Sequence, residues 1–308
     1  MKKKILIVGG TGFIGYHFAK KCIENNFLVT SLSRSKPKKI KHLKKVKYIF
    51  SDIVDKKNLN LKLKDNYNYV INLGGAVDHH GSNTFKSHHT GCKNLVSIFK
   101  KKNIERFIQV GSSVEYGNLK SPHKEKKILT TLRSMKSIYA KAKLKSSLYL
   151  LNMYKKEKFP VTIFRIYLAY GPAQDHNRLI PFTIQNCLKK KVFPCSSGEQ
   201  FRDFIYISDV VDILFKSLQK KSSIGEIFNI CSGNPTNIKD LINLIRLKVK
   251  GGKPQFGLIN LRKDEEKIFF GNIQKTKKFF SWEPKINLNK GISKTIKYYE
   301  NNFKKRDR

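Results

Sequence analysis

Residues 4–15 read Lys4-Ile-Leu-Ile-Val8 followed by Gly9-Gly-Thr-Gly-Phe-Ile-Gly15. The apolar run from Ile5 to Val8 has the pattern of a strand buried on both faces, and a helical spacing through Phe18, Ile23 and Glu24 begins directly after the glycines. Glycines at 9, 12 and 15 suit the turn between them. One permits a tight reversal, one lets the backbone approach a pyrophosphate, and one lets helix and strand pack closely, with the helix N-terminus facing the phosphates. Gly9, Thr11, Gly12, Phe13, Ile14 and Gly15 are therefore the candidate residues around a bound dinucleotide.

The same alternation continues outward from this unit. Strands are predicted at Phe27–Leu32, Val46–Phe50, Tyr69–Leu73, Arg106–Val110 and Val161–Arg165, with helices near Thr84–Lys102 and Arg133–Lys156. Repeated βα units imply an α/β fold with a doubly wound parallel sheet of Rossmann type. After Gly171-Pro172 the elements shorten, with helices near Leu179–Lys190, Ser208–Lys220 and Asn237–Lys248 and a lone strand at Glu226–Ile230. The expected division is a dinucleotide-binding domain over 1–170 and a smaller α/β substrate domain over 171–308, the chain having scope to return to the sheet once more.

Composition narrows the class. The chain has 308 residues, is 40% hydrophobic, and holds 21 Phe and 13 Tyr, enough apolar surface for a large globular core. Its formal net charge of +41 by itself would favour a nucleic acid or an anionic membrane. The lysines, however, are spread over nearly every polar segment and are not interleaved with stacking aromatics, which reads as a solvated lysine-rich surface and no nucleic-acid partner. No stretch approaches the roughly 20 apolar residues of a membrane span, and the start is too short for a signal-peptide core, so a cytoplasmic protein without a membrane partner is expected. The five cysteines lie far apart with no CxxC pair or metal-ligand spacing, which suggests neither disulfides nor a metal.

The cofactor and the chemistry can be read further along the chain. At the end of the second strand stand Ser33 and Arg34, where an acid would mark NAD. A guanidinium offers a bidentate fork to a 2′-phosphate, so NADP (NADPH) is favoured over NAD. Tyr139 and Lys143 lie four apart, on one face of a predicted helix, and Ser112 stands at the end of the fifth strand. A nearby ammonium and cofactor hydroxyls are expected to lower the phenol pKa, letting Tyr139 give a proton to a carbonyl oxygen that Ser112 holds.

The ordered set Gly9-Gly-Thr-Gly-Phe-Ile-Gly15, Val110-Gly-Ser-Ser-Val-Glu-Tyr-Gly117, Tyr139 with Lys143, Arg165-Ile-Tyr-Leu-Ala-Tyr-Gly-Pro172 and Gly198-Glu-Gln-Phe-Arg-Asp-Phe-Ile-Tyr-Ile-Ser-Asp209 resembles the extended short-chain dehydrogenase/reductases, the NAD(P)-dependent epimerases, dehydratases and reductases of nucleotide sugars. The resemblance runs from residue 4 to about residue 300. It implies a nucleotide-diphosphate sugar as substrate, and catalytic roles for Ser112, Tyr139 and Lys143. It places Asp52 against adenine, with Ile53 and Leu73 beside the cofactor, and Ser112, Ser113, Asn177, Arg178, Arg202 and Arg262 toward the substrate. The two last arginines suit a diphosphate, which needs charge-assisted donors in a fixed plane. Relatives often dimerise through the Tyr139 helix and its neighbour, so a homodimer is implied.

Within that superfamily, the 4,6-dehydratases carry an acidic pair just after the active-site Ser/Thr, where this chain has Ser113 and Val114. Glu115 falls one residue on and would point to the opposite face of a continuing strand, which disfavours dehydration. The stretches Asp175-His-Asn-Arg-Leu-Ile-Pro-Phe, Ser197-Gly-Glu-Gln-Phe-Arg-Asp-Phe-Ile and Phe256-Gly-Leu-Ile-Asn-Leu-Arg-Lys-Asp-Glu-Glu look closest to CDP-abequose synthase and related 4-keto-6-deoxysugar reductases. The expected activity is NADPH-dependent reduction of the 4-keto group of a nucleotide-linked 4-keto-6-deoxyhexose. The alternatives are an NAD-dependent nucleotide-sugar 4-epimerase and, from another class, a non-catalytic NADP-binding regulatory or RNA-associated protein. Two departures stand out: His88 replaces an Asn found in many relatives, and Leu168 replaces another. With Asp78-His-His80 and His89, His88 reads as a packed imidazole and not a metal ligand.

Overall fold

The computed structural model describes residues 2–75, 82–125, 135, 137–261 and 265–304. Arg262, His79, His80 and the expected helix start at Arg133 lie outside them. The first half builds β1 (Lys4–Val8), α1 (Phe13–Glu24), β2 (Leu28–Ser33), β3 (Val46–Phe50), α2 (Lys56–Lys62), β4 (Tyr69–Asn72), α3 (Ser82–Phe85), α4 (Gly91–Phe99), β5 (Arg106–Ser112), α5 (Ile138–Glu157) and β6 (Val161–Ile166). A π-helical turn, Lys86–Thr90, joins α3 to α4. The second half adds β7 (Leu168–Tyr170), α6 (Leu179–Leu188), β8 (Val192–Pro194), β9 (Phe201–Tyr206), α7 (Ile207–Ser217), β10 (Ile227–Ile230), β11 (Pro235–Asn237), α8 (Ile238–Val249), β12 (Lys253–Gln255), β13 (Ile268–Phe269), α9 (Gln274–Phe280) and α10 (Leu288–Lys304).

Seven strands form one sheet in the order β10-β6-β5-β4-β1-β2-β3, and every pairing in it is parallel. The apolar run in β1 is continuous because both of its faces are covered. Ile5 and Ile7 join the core that includes Phe18 and Cys22 of α1, while Leu6 and Val8 join the opposite one with Leu95 and Phe99 of α4. From β1 the chain winds first toward β3 and then, from β4, toward β10. This reversal opens a crevice beyond the carboxyl ends of β1 and β4, the usual ligand position in such sheets.

The strand at 227–230 lies in this large sheet, paired with β6 from Ile227 opposite Ile163 to Ile230 opposite Ile166. The rest of the second half makes a smaller sheet in which β9 pairs with β7, β11 and β13, and a two-stranded pair, β8 with β12. Asp203 of β9 ties the small sheet to the end of β10. Its carboxylate accepts the amides of Ser232 at 2.7 Å, Gly233 at 3.0 Å and Gly271 at 3.3 Å, and the Ser232 hydroxyl at 2.7 Å. Among the described residues no helix is long and apolar enough to cross a membrane, and no His, Cys, Asp and Glu cluster could hold a metal ion. All five cysteines are buried free thiols.

Candidate active site

The glycine turn has the shape that its three glycines suggest. Gly9 has a φ of +80°, and a Cβ there would lie 3.0 Å from the Leu73 carbonyl. A Cβ on Gly15 would fall on the Gly9 carbonyl oxygen and 2.7 Å from the Gly10 Cα, so only glycine lets α1 start this close to β1. Gly9 donates to the Leu32 carbonyl at 2.7 Å, and Thr11 donates its amide to Ser33 Oγ at 3.3 Å, which brings the end of β2 against the turn. Arg34 follows, exposed. Beyond β3, Asp52 Oδ1 accepts the Val54 amide at 2.9 Å, while Asn94 of α4 donates to the carbonyls of Ile53 and Val54 at 3.0 and 2.9 Å. Gly9 to Gly15, Ser33, Arg34, Asp52, Ile53 and Leu73 thus surround one end of the crevice. A cradle that a Cβ would fill, at a helix N-terminus, fits the phosphates of a dinucleotide.

At the other end stand Ser112, Tyr139 and Lys143. Ser137 caps α5 by accepting the Ala140 amide, which starts the helix just before Tyr139. Buried small residues, Ala140, Ala142, Ser146 and Ser147, let this helix lie close to the sheet. Lys143 is buried and donates to the Val110 carbonyl at 2.8 Å, with its Nζ 5.9 Å from the centre of the Tyr139 ring. The Tyr139 phenol is hydrogen-bonded to the Ser112 side chain.

The electrostatics of the site are set first by burial. Burial pushes the Tyr139 phenol up to about 12, against the opposing pull of the Ser112 hydrogen bond and, more weakly, of Arg178. Loss of water around a 9% exposed phenol penalises the phenolate more than these two contacts favour it. Lys143 itself is pushed down by burial to about 8, with Glu115 and Cys92 acting in the other direction.

Glu115 also departs from expectation. The strand ends at Ser112 and Ser113–Tyr116 form a 3₁₀ turn, which carries the Glu115 carboxylate back under Ser112 instead of out on the opposite strand face. Ser113 is buried beside it. His88 was also read as packed, and it is 4% exposed, but its ring sits edge-on to Tyr139 with 5.1 Å between ring centres. A Cβ on Gly75, at φ +120°, would overlap the same ring. The π turn places His88 there, and Ser146 of α5 lies 3.2 Å from the carbonyl it presents. The glycine pair after β4, Gly74-Gly75, was the one sequence signal of this close approach. His89 meets Tyr149 edge-on instead.

The residues expected toward the substrate are dispersed. Arg178, exposed before α6, is near enough to act on the Tyr139 phenol, and Asn177 next to it is exposed too. Arg202 on β9 is paired with Glu265 at 2.6 Å. Leu168 is 45% exposed on β7.

Comparison with known proteins matches the chain to a family and its fold to solved structures. The model of the NAD dependent epimerase/dehydratase family matches residues 5–231. Human dTDP-D-glucose 4,6-dehydratase is 26% identical over 98% of this chain and 91% of its own length. CDP-abequose synthase of Salmonella typhimurium is 24% identical over 96% of this chain and 98% of its own. A solved UDP-glucose 4-epimerase with UDP-glucose from Thermotoga maritima superposes with a TM-score of 0.88 at 24% identity, over 97% of this chain and 99% of that one.

Proposed function

The chain belongs to the NAD dependent epimerase/dehydratase family, and on that footing we propose that it is an NADPH-dependent reductase of the 4-keto group of a nucleotide-linked 4-keto-6-deoxyhexose. The observation that carries this reading is the buried, protonated Tyr139 phenol, hydrogen-bonded to Ser112 beside the Lys143 ammonium. A phenol held in its neutral form is a proton donor, which suits reduction of a carbonyl. Ser112 would hold the substrate oxygen, Tyr139 would give it a proton, and Lys143 would fix the phenol and carry the positive charge that offsets the developing oxyanion. The dinucleotide, held by Gly9, Gly12 and Gly15 with Arg34 toward a 2′-phosphate, would supply the hydride. Ser113 and Val114 offer no acid–base pair, and the Glu115 carboxylate is already engaged, which counts against dehydration.

A nucleotide-sugar 4-epimerase is the second reading, supported by the same feature: an epimerase also needs no acid–base pair at 113 and 114. The two separate on NADPH absorbance with a panel of 4-keto-6-deoxy nucleotide sugars. Stoichiometric oxidation is expected for the reductase, and interconversion of 4-hydroxy epimers without net oxidation would overturn it.

A further inference from the structure

Behind the Ser112–Tyr139–Lys143 group lies a carboxylate that this chemistry leaves unused. The Glu115 side chain is fully buried. Its Oε1 accepts the Ser112 amide at 2.8 Å, closing a capping box with the Ser112 side chain. Its Oε2 accepts the Ser147 hydroxyl of α5 at 2.7 Å and Arg165 Nε of β6 at 3.0 Å. The Arg165 guanidinium lies 4.6 Å from the centre of the Tyr116 ring, and the Tyr116 hydroxyl donates to Asn229 of β10 at 2.7 Å. A Cβ on Gly111 would meet Glu115 Oε1, so the turn leaves the carboxylate one place to sit. Three separate segments that supply or support the proton-transfer group converge on these two oxygens: the turn with Ser112, the helix with Tyr139 and Lys143, and β6.

We propose that Glu115 is a positioning residue of the proton-transfer site, its carboxylate fixing the Ser112 turn relative to the helix that carries Tyr139 and Lys143. The proposal rests on the reductase reading for its kinetic consequences and on geometry alone for its structural ones. A buried carboxylate with one cation and two further donors is far costlier to leave half-paired than to omit, so a merely space-filling role would be met better by an apolar residue.

The charge has a second effect. Tyr139 faces Ser112, His88, Lys143, Arg178 and Glu115, and Lys143 faces Val110, Cys92, Tyr139 and Glu115. In both sets Glu115 is a source of negative potential that favours the protonated form.

Glu115→Gln keeps the shape and an acceptor for Ser112 but removes the charge. For E115Q, kcat should fall by about 10²-fold, as for a sub-ångström to ångström misplacement of reacting groups, with the KM for the nucleotide sugar within about twofold. The alkaline limb of the pH–rate profile should move to lower pH, because both Tyr139 and Lys143 lose their protons more easily. Hydrogen–deuterium exchange, which needs neither cofactor nor substrate, should rise in residues 111–117 and at the start of α5 but not in β1 and α1. Unchanged kinetics with unchanged exchange would overturn the proposal, and so would a uniform rise in exchange across the sheet, which marks a general stabiliser. If E115Q does not fold, Ser147→Ala, which leaves the ion pair intact, should show the same local rise in exchange at 111–117, and its absence overturns the proposal. If the wild-type protein turns over no nucleotide sugar, the reductase reading fails while the exchange result still decides the role of Glu115.

Discussion

Tyr139→Phe removes one oxygen and little else. The ring keeps its contact with His88 at 5.1 Å and its place beside Lys143, and the hydrogen bond to Ser112 goes with the hydroxyl. One such bond contributes about 1 kcal/mol, so a melting temperature lower by about 2–4 °C is expected and the protein stays folded. The kinetic loss should be far larger. With its phenol near 12, Tyr139 is protonated throughout the neutral range, as the proposed donor to the substrate oxygen must be. Removing a positioned general acid costs about 10²- to 10⁴-fold in rate, or about 3–5 kcal/mol of barrier. Loss of NADPH absorbance at saturating 4-keto-6-deoxy nucleotide sugar gives kcat, and quenching of protein fluorescence gives the NADPH Kd. A kcat that stays within a few-fold of wild type would refute the proton-donor role. A collapse of NADPH affinity would show instead that Tyr139 serves cofactor binding.

Other outcomes follow from the same structure. Gly15→Ala sets a methyl on the Gly9 carbonyl oxygen and against the Gly10 Cα, a backbone clash costing about 1–3 kcal/mol; titration calorimetry should find NADPH binding weakened at least about tenfold, and an unchanged Kd would remove the turn from the cofactor site. Arg34→Asp replaces the cation proposed to pair with a 2′-phosphate by an anion, so the ratio of kcat/KM for NADPH to that for NADH should fall by about 10²-fold or more, and a constant ratio would sink the NADP proposal. Because burial lowers the Lys143 ammonium to about 8, reduction should hold level at lower pH and decline as pH rises through that value and the cation is lost; a rate that stays level well above it would mean that Lys143 need not be charged.

Much of the sheet was legible because its first six strands are rich in apolar and β-branched residues and set off by turn residues, and β3 matches the reading residue for residue. The strands β7, β8, β11, β12 and β13 escaped because they span two or three residues, too few for a period to show, and pair with distant segments. The Ser112, Tyr139 and Lys143 positions could be named from order and spacing. Their electrostatics could not, since the state of the phenol depends on how much water the surrounding fold excludes. Glu115 was misplaced for a local reason: reading the strand on past Ser112 reverses the side-chain direction that the 3₁₀ turn imposes. His88 was seen as packed without its partner, because a π turn leaves the apolar spacing of a helix almost unaltered while rotating the residues that follow.

The parallel pairing of β10 with β6 means that the large sheet is not complete until residues 227–230 have joined it. A chain ending near 170 would hold six of the seven strands and present the outer backbone edge of β6, from Ile163 to Ile166, bare of hydrogen-bond partners. Such an edge is a template for pairing with other chains. During synthesis it stays open while roughly sixty more residues emerge, at about 5–20 residues per second, so the lysine coat of the nascent chain, mutually repelling, is what stands between that edge and its neighbours for several seconds.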